Sequence, residues 1–320
     1  MEITYLLAFG CSLLATLIVM PKLIPFLHKI KFGQSIRKEG PQSHMVKTGT
    51  PTMGGIVFVV IPIIVMLVLD IHAFSSSKLL LIVFAYLGYA FIGFLDDFLI
   101  VVKKNNDGLK PSMKFFLQSV LAIIFYVWYQ SIADTSLSIP VLHVSIPLGL
   151  LYFVLIFFMF TAESNAVNLT DGLDGLCAGT SLIAMFPFII FALLQSEKDV
   201  AMMLLAISGA LIGYLRFNLH PAKIFMGDTG SLAIGGLLAA TAMVLKTELL
   251  LILIGGVFVM EVVSVVLQVA SYKTTGKRIF KMAPLHHHFE LKGMKETQVV
   301  LMFWCLQLVF ALLGLWLGVI

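Results

Sequence analysis

The sequence predicts an all-α, polytopic integral membrane protein with about ten transmembrane helices and both termini outside. Hydrophobic residues make up 60% of the 320 residues and charged residues only 12%. A soluble domain is nearer to about half apolar and about a quarter charged. The apolar runs reach roughly 20 residues, the length of a membrane-spanning helix, and they do not alternate as barrel strands do.

Ten apolar segments are each predicted to form one span. Their approximate limits are 3–27, 54–74, 79–100, 115–132, 147–163, 175–195, 200–216, 230–246, 249–271 and 298–319. The first run follows the acidic Glu2 and lacks a basic region and a cleavage site, so we interpret it as a span and not a signal peptide. Residues 1–320 are predicted to form a single transmembrane catalytic domain.

The distribution of lysine and arginine predicts which face is cytoplasmic. Seventeen of the 21 lie on the side that begins with the loop after the first span, whereas Lys78, Lys198 and Lys246 lie on the other side. The positive-inside rule makes the first side cytoplasmic. The predicted cytoplasmic loops are about 28–53, 101–114, 164–174, 217–229 and 272–297. Any chemistry is expected in these loops and in the helix ends beside them.

Composition also excludes several classes of function. Cys11, Cys177 and Cys305 lie far apart in or beside apolar runs, which is not the pattern of a disulfide framework or a metal site. The net charge is +4, and the basic residues are scattered over several loops, so no nucleic-acid partner is expected. The chain has no P-loop motif, which argues against ATP-driven transport.

Five of the nine aspartates lie at the predicted cytoplasmic ends of apolar runs, where acidic residues are functional candidates. The adjacent pair Asp96 and Asp97 comes first along the chain. On a helix they would point about 100° apart, so one could hold a metal while the other meets a substrate. Two such close carboxylates raise each other's pKa unless a cation intervenes. The alternative is a helix end that pairs with Lys103.

A second polar cluster has four members spaced by three residues: Asn165, Asn168, Asp171 and Asp174. In a helix this spacing places neighbouring members one turn apart. Amide and carboxylate oxygens suit hard cations and ribose or phosphate groups. Gly172 would allow close approach to a ligand. The alternative interpretation is an Asx-rich turn between two spans.

Two further motifs and one isolated acid complete the set. Asp228 opens the eighth span, where a helix N-terminus can bind anions, and it is a candidate metal ligand, a plain N-cap or both. His286, His287 and His288 would spread over about 200° of a helix, so at most two could face one ligand. A catalytic or diphosphate-binding role is favoured over zinc or a solvated tract. Glu261 is an intramembrane acid that could serve structure or function.

These residue types together indicate phosphoryl chemistry. Carboxylates that could hold Mg²⁺, basic loops and histidines are the usual means of stabilising charge on transferring phosphates. Their predicted position at the inner interface suggests one water-soluble substrate and one lipid substrate. The basic loop 28–53 could gather anionic groups or simply follow the positive-inside rule.

Five motifs resemble those of the phospho-N-acetylmuramoyl-pentapeptide transferases, within the polyprenyl-phosphate sugar-1-phosphate transferase superfamily. They are GTPTMGG (49–55), DD (96–97), NAVNLTDGLDGL (165–176), FMGDTGSL (225–232) and PLHHHFE (284–290). The resemblance runs nearly end to end. It implies a Mg²⁺-dependent enzyme of the bacterial cell membrane that joins UDP-N-acetylmuramoyl-pentapeptide to undecaprenyl phosphate and releases UMP. A homodimer is also compatible with the family.

The resemblance implies roles for individual residues. Asp228 would bind Mg²⁺, and Asp97 or Asp96 would act on the lipid phosphate as base or nucleophile. Phe225 would stack on uracil. The remaining residues with implied roles bind the nucleotide, the phosphates or the sugar, with His287 also a catalytic candidate: Lys114, Asn165, Asn168, Asp171, Asp174, Asn218, His286, His287 and His288.

One departure from the family pattern concerns the lysine of DDxxK. The corresponding position here is Ile100, and Lys103 or Lys104 is the expected substitute.

Two other functions are considered. One is a transferase for UDP-N-acetylglucosamine, and the other is a cation-coupled transporter, which the clustering of the acids at one face argues against. The sequence leaves open whether the transfer is direct or passes through a phospho-aspartate.

Overall fold

The computed structural model describes residues 2–29, 47, 49–103 and 108–320. Twelve α-helices are present in these ranges: α1 (Glu2–Lys29), α2 (Gly55–Leu69), α3 (Ser77–Lys103), α4 (Pro111–Tyr129), α5 (Leu151–Thr170), α6 (Leu176–Leu194), α7 (Lys198–Asn218), α8 (Gly227–Val244), α9 (Glu248–Ile254), α10 (Gly256–Thr275), α11 (Leu285–Glu290) and α12 (Glu296–Val319). Two strands, β1 (Ser136–Ile139) and β2 (Val144–Pro147), form an antiparallel hairpin.

The prediction of an all-α polytopic membrane protein is confirmed. Among the described residues, nine helices are long and apolar enough to cross a membrane, and Gly55–Leu69 is a shorter apolar helix. Each of the ten predicted spans therefore contains a helix. The position of the termini relative to the membrane stays a prediction.

Several predicted limits were wrong. The segment 54–74 is not one span, because the helix ends at Leu69 and a short 3-10 helix, Ile71–Ser75, follows. The segment 249–271 is broken at Gly255 into α9 and α10, and Gln307 of α12 bonds the backbone on both sides of this break. The β1–β2 hairpin, which extends to Pro147, was not predicted. Much of the predicted loop 164–174 belongs to α5, which continues to Thr170.

The most buried span, α8, forms the centre of the fold and packs against α2, α3 and α5. Its sequence is rich in glycine and alanine, and small residues let membrane helices approach closely. Gly235 lies against the backbone of Ser164 in α5, and Gly236 lies against the ring of Tyr89 in α3. This packing brings the ends of three helices around the N-terminus of α8, where Asp228 is located.

Candidate active site

The N-terminus of α8 is held by Asp97, which reaches it from α3. One carboxylate oxygen of Asp97 accepts the backbone N–H of Asp228 at 3.1 Å, and the other accepts the backbone N–H and the hydroxyl of Thr229 at 2.9 and 2.6 Å. Gly93, one turn earlier in α3, lies directly against the Asp228 backbone and has no side chain to keep the helices apart. Asp97 thus satisfies free N–H groups of a helix end and fixes the backbone of Asp228.

The side chain of Asp228 collects partners from two further helices. Lys114 of α4 donates to its Oδ2 at 2.8 Å, and Asn168 of α5 donates to its Oδ1 at 2.8 Å. The same Asn168 amide donates to Ser231 at 2.9 Å. The Asp228 side chain is 23% exposed, so a ligand can reach the carboxylate.

Asp96 faces a different set of partners from its neighbour Asp97, as the predicted angle between them implies. Its Oδ1 accepts the backbone N–H of Leu109 at 2.9 Å and lies 3.3 Å from the Lys114 ammonium. The Lys114 ammonium therefore lies between Asp96 and Asp228. The sequence-based alternative in which Asp96 pairs with Lys103 is wrong.

The lysine that contacts Asp96 and Asp228 comes from α4. Ile100 occupies the DDxxK position in α3, and Lys103 is exposed at the end of that helix. No described ion pair involves Lys103, and Lys104 lies outside the described residues. Lys114 was predicted to bind substrate, but its place between the two aspartates could not be inferred from its distance along the chain.

The NAVNLTDGLDGL motif is helical only in its first half. Helix α5 ends at Thr170, Asp171 is its C-cap, and a turn leads to α6, so the expected helical register across all four residues was wrong. The Asn165 amide donates to the Thr161 carbonyl of its own helix at 2.7 Å. Among the motif's amides, it is Asn168 that joins Asp228; the substrate-binding role of Asn165 stays a prediction.

Several carboxylates lie near the turn that follows α5. Burial, then the neighbouring carboxylates of Asp228, Asp97 and Asp174, raise the pKa of Asp171 to about 8. Burial is the largest cause of this shift, and the three carboxylates add to it. Carboxylate oxygens are suitable ligands for a hard divalent cation such as Mg²⁺, and the Asp228 side chain, which is 23% exposed, is suited to this role.

Asp174 belongs to a separate ion cluster. It accepts the Lys47 ammonium at 2.7 Å, the His220 ring at 3.0 Å and the Ala222 backbone N–H at 2.9 Å. Donor atoms of Asp174, His220 and Glu296 lie close enough to hold a metal ion. However, Lys47 also contacts Glu296 at 2.5 Å, so an ammonium already supplies the positive charge there. His220 and Glu296 were not identified from the sequence, since neither lies in a recognised motif.

Two residues that were predicted to bind the nucleotide, Asn218 and Phe225, make hydrogen bonds with backbone groups near this cluster. Asn218 is 2% exposed, and its amide accepts from the Gly175 N–H at 3.1 Å and donates to the Ile224 carbonyl at 2.9 Å. Phe225 is half-buried, and its backbone pairs with Pro51 and Gly54 of the GTPTMGG motif. The substrate-binding roles of Asn218 and Phe225 stay predictions; the observed role of Asn218 is to join two motifs.

The three histidines of α11 have three different partners. His286 lies 3.1 Å from Glu261, and His287 lies 2.9 Å from Glu290. The Nδ1 atom of His288 accepts the backbone N–H of Lys281 at 3.1 Å. Burial, followed by the cations Lys292 and Lys281, lowers the pKa of His288. Their predicted catalytic and binding roles stay predictions, but the three rings are not equivalent.

Comparison with known proteins adds independent information. A family model described as glycosyl transferase family 4 matches residues 79–246, which include three of the five motifs. The chain is 52% identical over 309 residues to the phospho-N-acetylmuramoyl-pentapeptide-transferase of Bacillus velezensis, covering 96% of this chain and 95% of that protein. It is 51% identical over 319 residues to the enzyme of the same name from Staphylococcus saprophyticus, with 98% and 99% covered. The corresponding Bacillus subtilis protein is 52% identical over 309 residues, with 96% and 95% covered.

Proposed function

The chain belongs to the phospho-N-acetylmuramoyl-pentapeptide transferases, and from this we propose that it transfers phospho-N-acetylmuramoyl-pentapeptide from UDP to undecaprenyl phosphate. The reaction releases UMP and is the first lipid-linked step of peptidoglycan synthesis. The observation that carries the proposal is the meeting of Asp96, Lys114 and Asp228 at the ends of membrane helices. A soluble nucleotide and a lipid phosphate can both reach such a position.

The distribution of lysine and arginine supports the assignment of the active site to the cytoplasmic face. Seventeen of the 21 lysines and arginines fall on the side that carries these motifs, which supports a cytoplasmic active site in the bacterial cell membrane. The nucleotide sugar would then be drawn from the cytoplasm and the lipid phosphate from the inner leaflet. A homodimer stays a prediction of the family resemblance.

The reaction exchanges one phosphorus–oxygen bond for another. An oxygen of the lipid phosphate forms a bond to the sugar-bearing phosphorus of UDP, and the bond from that phosphorus to UMP breaks, with the electron pair leaving on UMP. Lys114 lies where it can stabilise negative charge on the phosphates. Mg²⁺ bound at Asp228 would compensate the charge of the diphosphate and of the leaving UMP.

The environments of the two adjacent aspartates support different roles. Both oxygens of Asp97 are engaged by donors at the α8 N-terminus, so neither is free to take a proton from the lipid phosphate or to attack phosphorus. Asp96 accepts a single backbone N–H and a longer contact from Lys114. We therefore assign the proton from the lipid phosphate to Asp96 and the positioning of Asp228 to Asp97.

An assay of UMP release tests the proposal. Purified protein in nanodiscs is given undecaprenyl phosphate with UDP-N-acetylmuramoyl-pentapeptide or with UDP-N-acetylglucosamine. We expect UMP only with the first nucleotide sugar, loss of activity in EDTA, recovery on adding Mg²⁺, and a drop of at least about 10²-fold in Asp228→Asn. Asp70→Asn, at the end of α2, is the matched control and should retain activity.

Each part of the proposal has its own contrary result. Efficient turnover of UDP-N-acetylglucosamine would contradict the substrate, and activity that persists in EDTA would contradict the metal. Near-normal turnover of Asp228→Asn would contradict the site. Uptake of a solute into proteoliposomes without any covalent product would favour the transporter instead.

A further inference from the structure

Glu261 is a fully buried acid in α10 that the proposed reaction does not use. Its Oε2 accepts the backbone N–H of Leu285 at 2.6 Å, and its Oε1 lies 3.1 Å from Nδ1 of His286. Leu285 is the first residue of α11. One carboxylate therefore holds both the start of the histidine helix and the first imidazole.

The contact with Glu261 bears on which nitrogen of His286 carries the proton. A carboxylate in its ionised form can only accept hydrogen bonds, so beside that form of Glu261 the Nδ1 atom is the donor. In the neutral ring Nε2 is then left with a free lone pair and can only accept. Carboxylates orient imidazoles in the same way in many metal and catalytic sites.

The Nε2 atom of His286 has no hydrogen-bond partner among the described residues, although the residue is only 1% exposed. It lies against Gly172, where any β-carbon would overlap the imidazole ring. Gly172 directly follows Asp171 in the turn after α5. A buried acceptor without a donor is unfavourable, so a hydroxyl that reached Nε2 would gain stability on binding.

We propose that Glu261 is a positioning residue that holds His286 as the Nδ1–H tautomer, and that Nε2 of His286 accepts a hydroxyl of the bound nucleotide sugar. Because Nε2 lies against Gly172, this contact requires the Asp171–Gly172 turn to move on binding. The second part rests on the proposed function, since it names a contact with that substrate. The hydroxyl belongs either to the ribose or to the amino sugar.

His288 provides an internal reference for the tautomer. Its Nδ1 accepts a backbone N–H from Lys281, so its proton must be on Nε2 in the neutral ring. The two histidines of the same short helix are thus predicted to be opposite tautomers. Long-range ¹H–¹⁵N correlation spectra of histidine-labelled protein in nanodiscs distinguish the tautomers without any turnover, so the result does not depend on the proposed function.

The variant Glu261→Gln tests the role of the carboxylate while keeping the size of the side chain. Its amide oxygen can still accept the Leu285 N–H, but its NH₂ group faces Nδ1 of His286 and should convert that ring to the Nε2–H tautomer. The KM for the nucleotide sugar should rise about tenfold, with kcat within about threefold, because one hydrogen bond to substrate is lost. Glu261→Asp, which keeps the carboxylate, should restore the original tautomer and part of the affinity.

Glu163→Gln is the matched control. Glu163 is another buried glutamate of the membrane helices, and no described hydrogen bond or ion pair joins it to an imidazole. This variant should leave the histidine spectra and the KM unchanged, which separates the proposed role from a general effect of removing a buried carboxylate. An Nε2–H proton on His286 in the unaltered protein, or an equal rise of KM in both variants, would overturn the positioning role.

Ligand additions identify the hydroxyl. A change of the His286 Nε2 resonance with UMP assigns the ribose, and a change only with UDP-N-acetylmuramoyl-pentapeptide assigns the sugar. Either result supports the contact. No change with either ligand at saturation, measured by UMP release or by equilibrium binding, would rule the contact out and leave the tautomer assignment to be judged on the spectra alone.

Discussion

Two polar clusters, one at each end of the helical bundle, each contain a partly buried lysine that lies beside acidic or aromatic groups. In the candidate active site, Lys114 lies between Asp96 and Asp228. At the other end, Lys246 donates to the Asp134 and Ser136 carbonyls at 2.6 and 2.9 Å. Both lysines bridge elements that are far apart in sequence, yet only the first cluster has the properties of a reaction centre.

At the far end Lys246 holds the hairpin. The Lys246 ammonium also lies 5.3 and 4.9 Å from the centres of the Tyr129 and Tyr152 rings, which favours a cation. Tyr152 in turn donates to Glu248. Lys246 and Ser136 hold the pKa of the Asp134 carboxyl down at about 2, so this acid is ionised and matched to its donors.

The site end differs in the number of carboxylates and in access. The carboxylates of Asp228, Asp97 and Asp174, after burial, raise the pKa of Asp171 there, and the Asp228 side chain is 23% exposed. A partly buried lysine by itself therefore says little about function. Several carboxylates around an accessible position distinguish a site that can take up a cation and a phosphate from one that only joins two segments.

The largest predicted effect separates the two adjacent aspartates. Asp96→Asn should lower kcat by at least about 10²-fold with little change in melting temperature, because it removes a base and leaves α8 in place. Asp97→Asn should lower both activity and melting temperature, because one of the two oxygens that accept from the α8 N-terminus becomes an NH₂ group. UMP release and thermal unfolding in detergent measure the two quantities. Equal melting temperatures in the two variants would contradict the assignment.

The sequence predicted the parts of the fold that hydropathy controls. All ten apolar segments contain helices, because the bilayer demands long apolar runs with satisfied backbone groups. The break at Gly255 was missed because hydropathy stays high through it and Gln307, which bonds its ends, comes from another helix. The hairpin was missed because its strands have only four residues each.

The sequence singled out residues that the structure brings together, but it did not predict their pairing. Motif spacing and residue type pointed to Asp96, Asp97 and Asp228, yet nothing local indicates that Asp97 serves the backbone of α8 while Asp96 faces Lys114. Those contacts join residues from different helices, so helix packing decides them. Glu261 was noticed as an intramembrane acid, and its partner His286 became evident only from the packing of α11 on α10.

A smaller effect is expected from crowding at Gly227, where α8 begins. Its φ of +71° is unfavourable for other residues, and a β-carbon would lie 2.5 Å from Oδ2 of Asp97 and 2.7 Å from Oγ1 of Thr52. Gly227→Ala should therefore reduce kcat about tenfold, since a displacement of this order at a catalytic centre is costly. UMP release measures the loss.

Gly276→Ala is the matched control for Gly227→Ala. Gly276 has a φ of +69° but no atom within 4 Å of the added β-carbon. The left-handed backbone costs alanine roughly 1–2 kcal/mol at either position, so any loss of activity specific to Gly227→Ala reports the crowding of Asp97. If the two variants lose activity equally, backbone strain alone is responsible and the proposed link from Asp97 to Asp228 is weakened.

The smallest effect on activity is expected at the far end of the bundle. Lys246→Met keeps the apolar stem but removes the charge that bonds two carbonyls, so it should lower the free energy of unfolding by about 1–3 kcal/mol while UMP release stays within about twofold. Lys78→Met breaks the partly exposed Lys78–Glu197 pair on the same side and should cost less than about 1 kcal/mol. Unfolding in detergent and UMP release measure both variants. A large loss of activity in Lys246→Met at a temperature where the protein stays folded would mean that the hairpin acts on the catalytic end, and the two clusters could no longer be treated as independent.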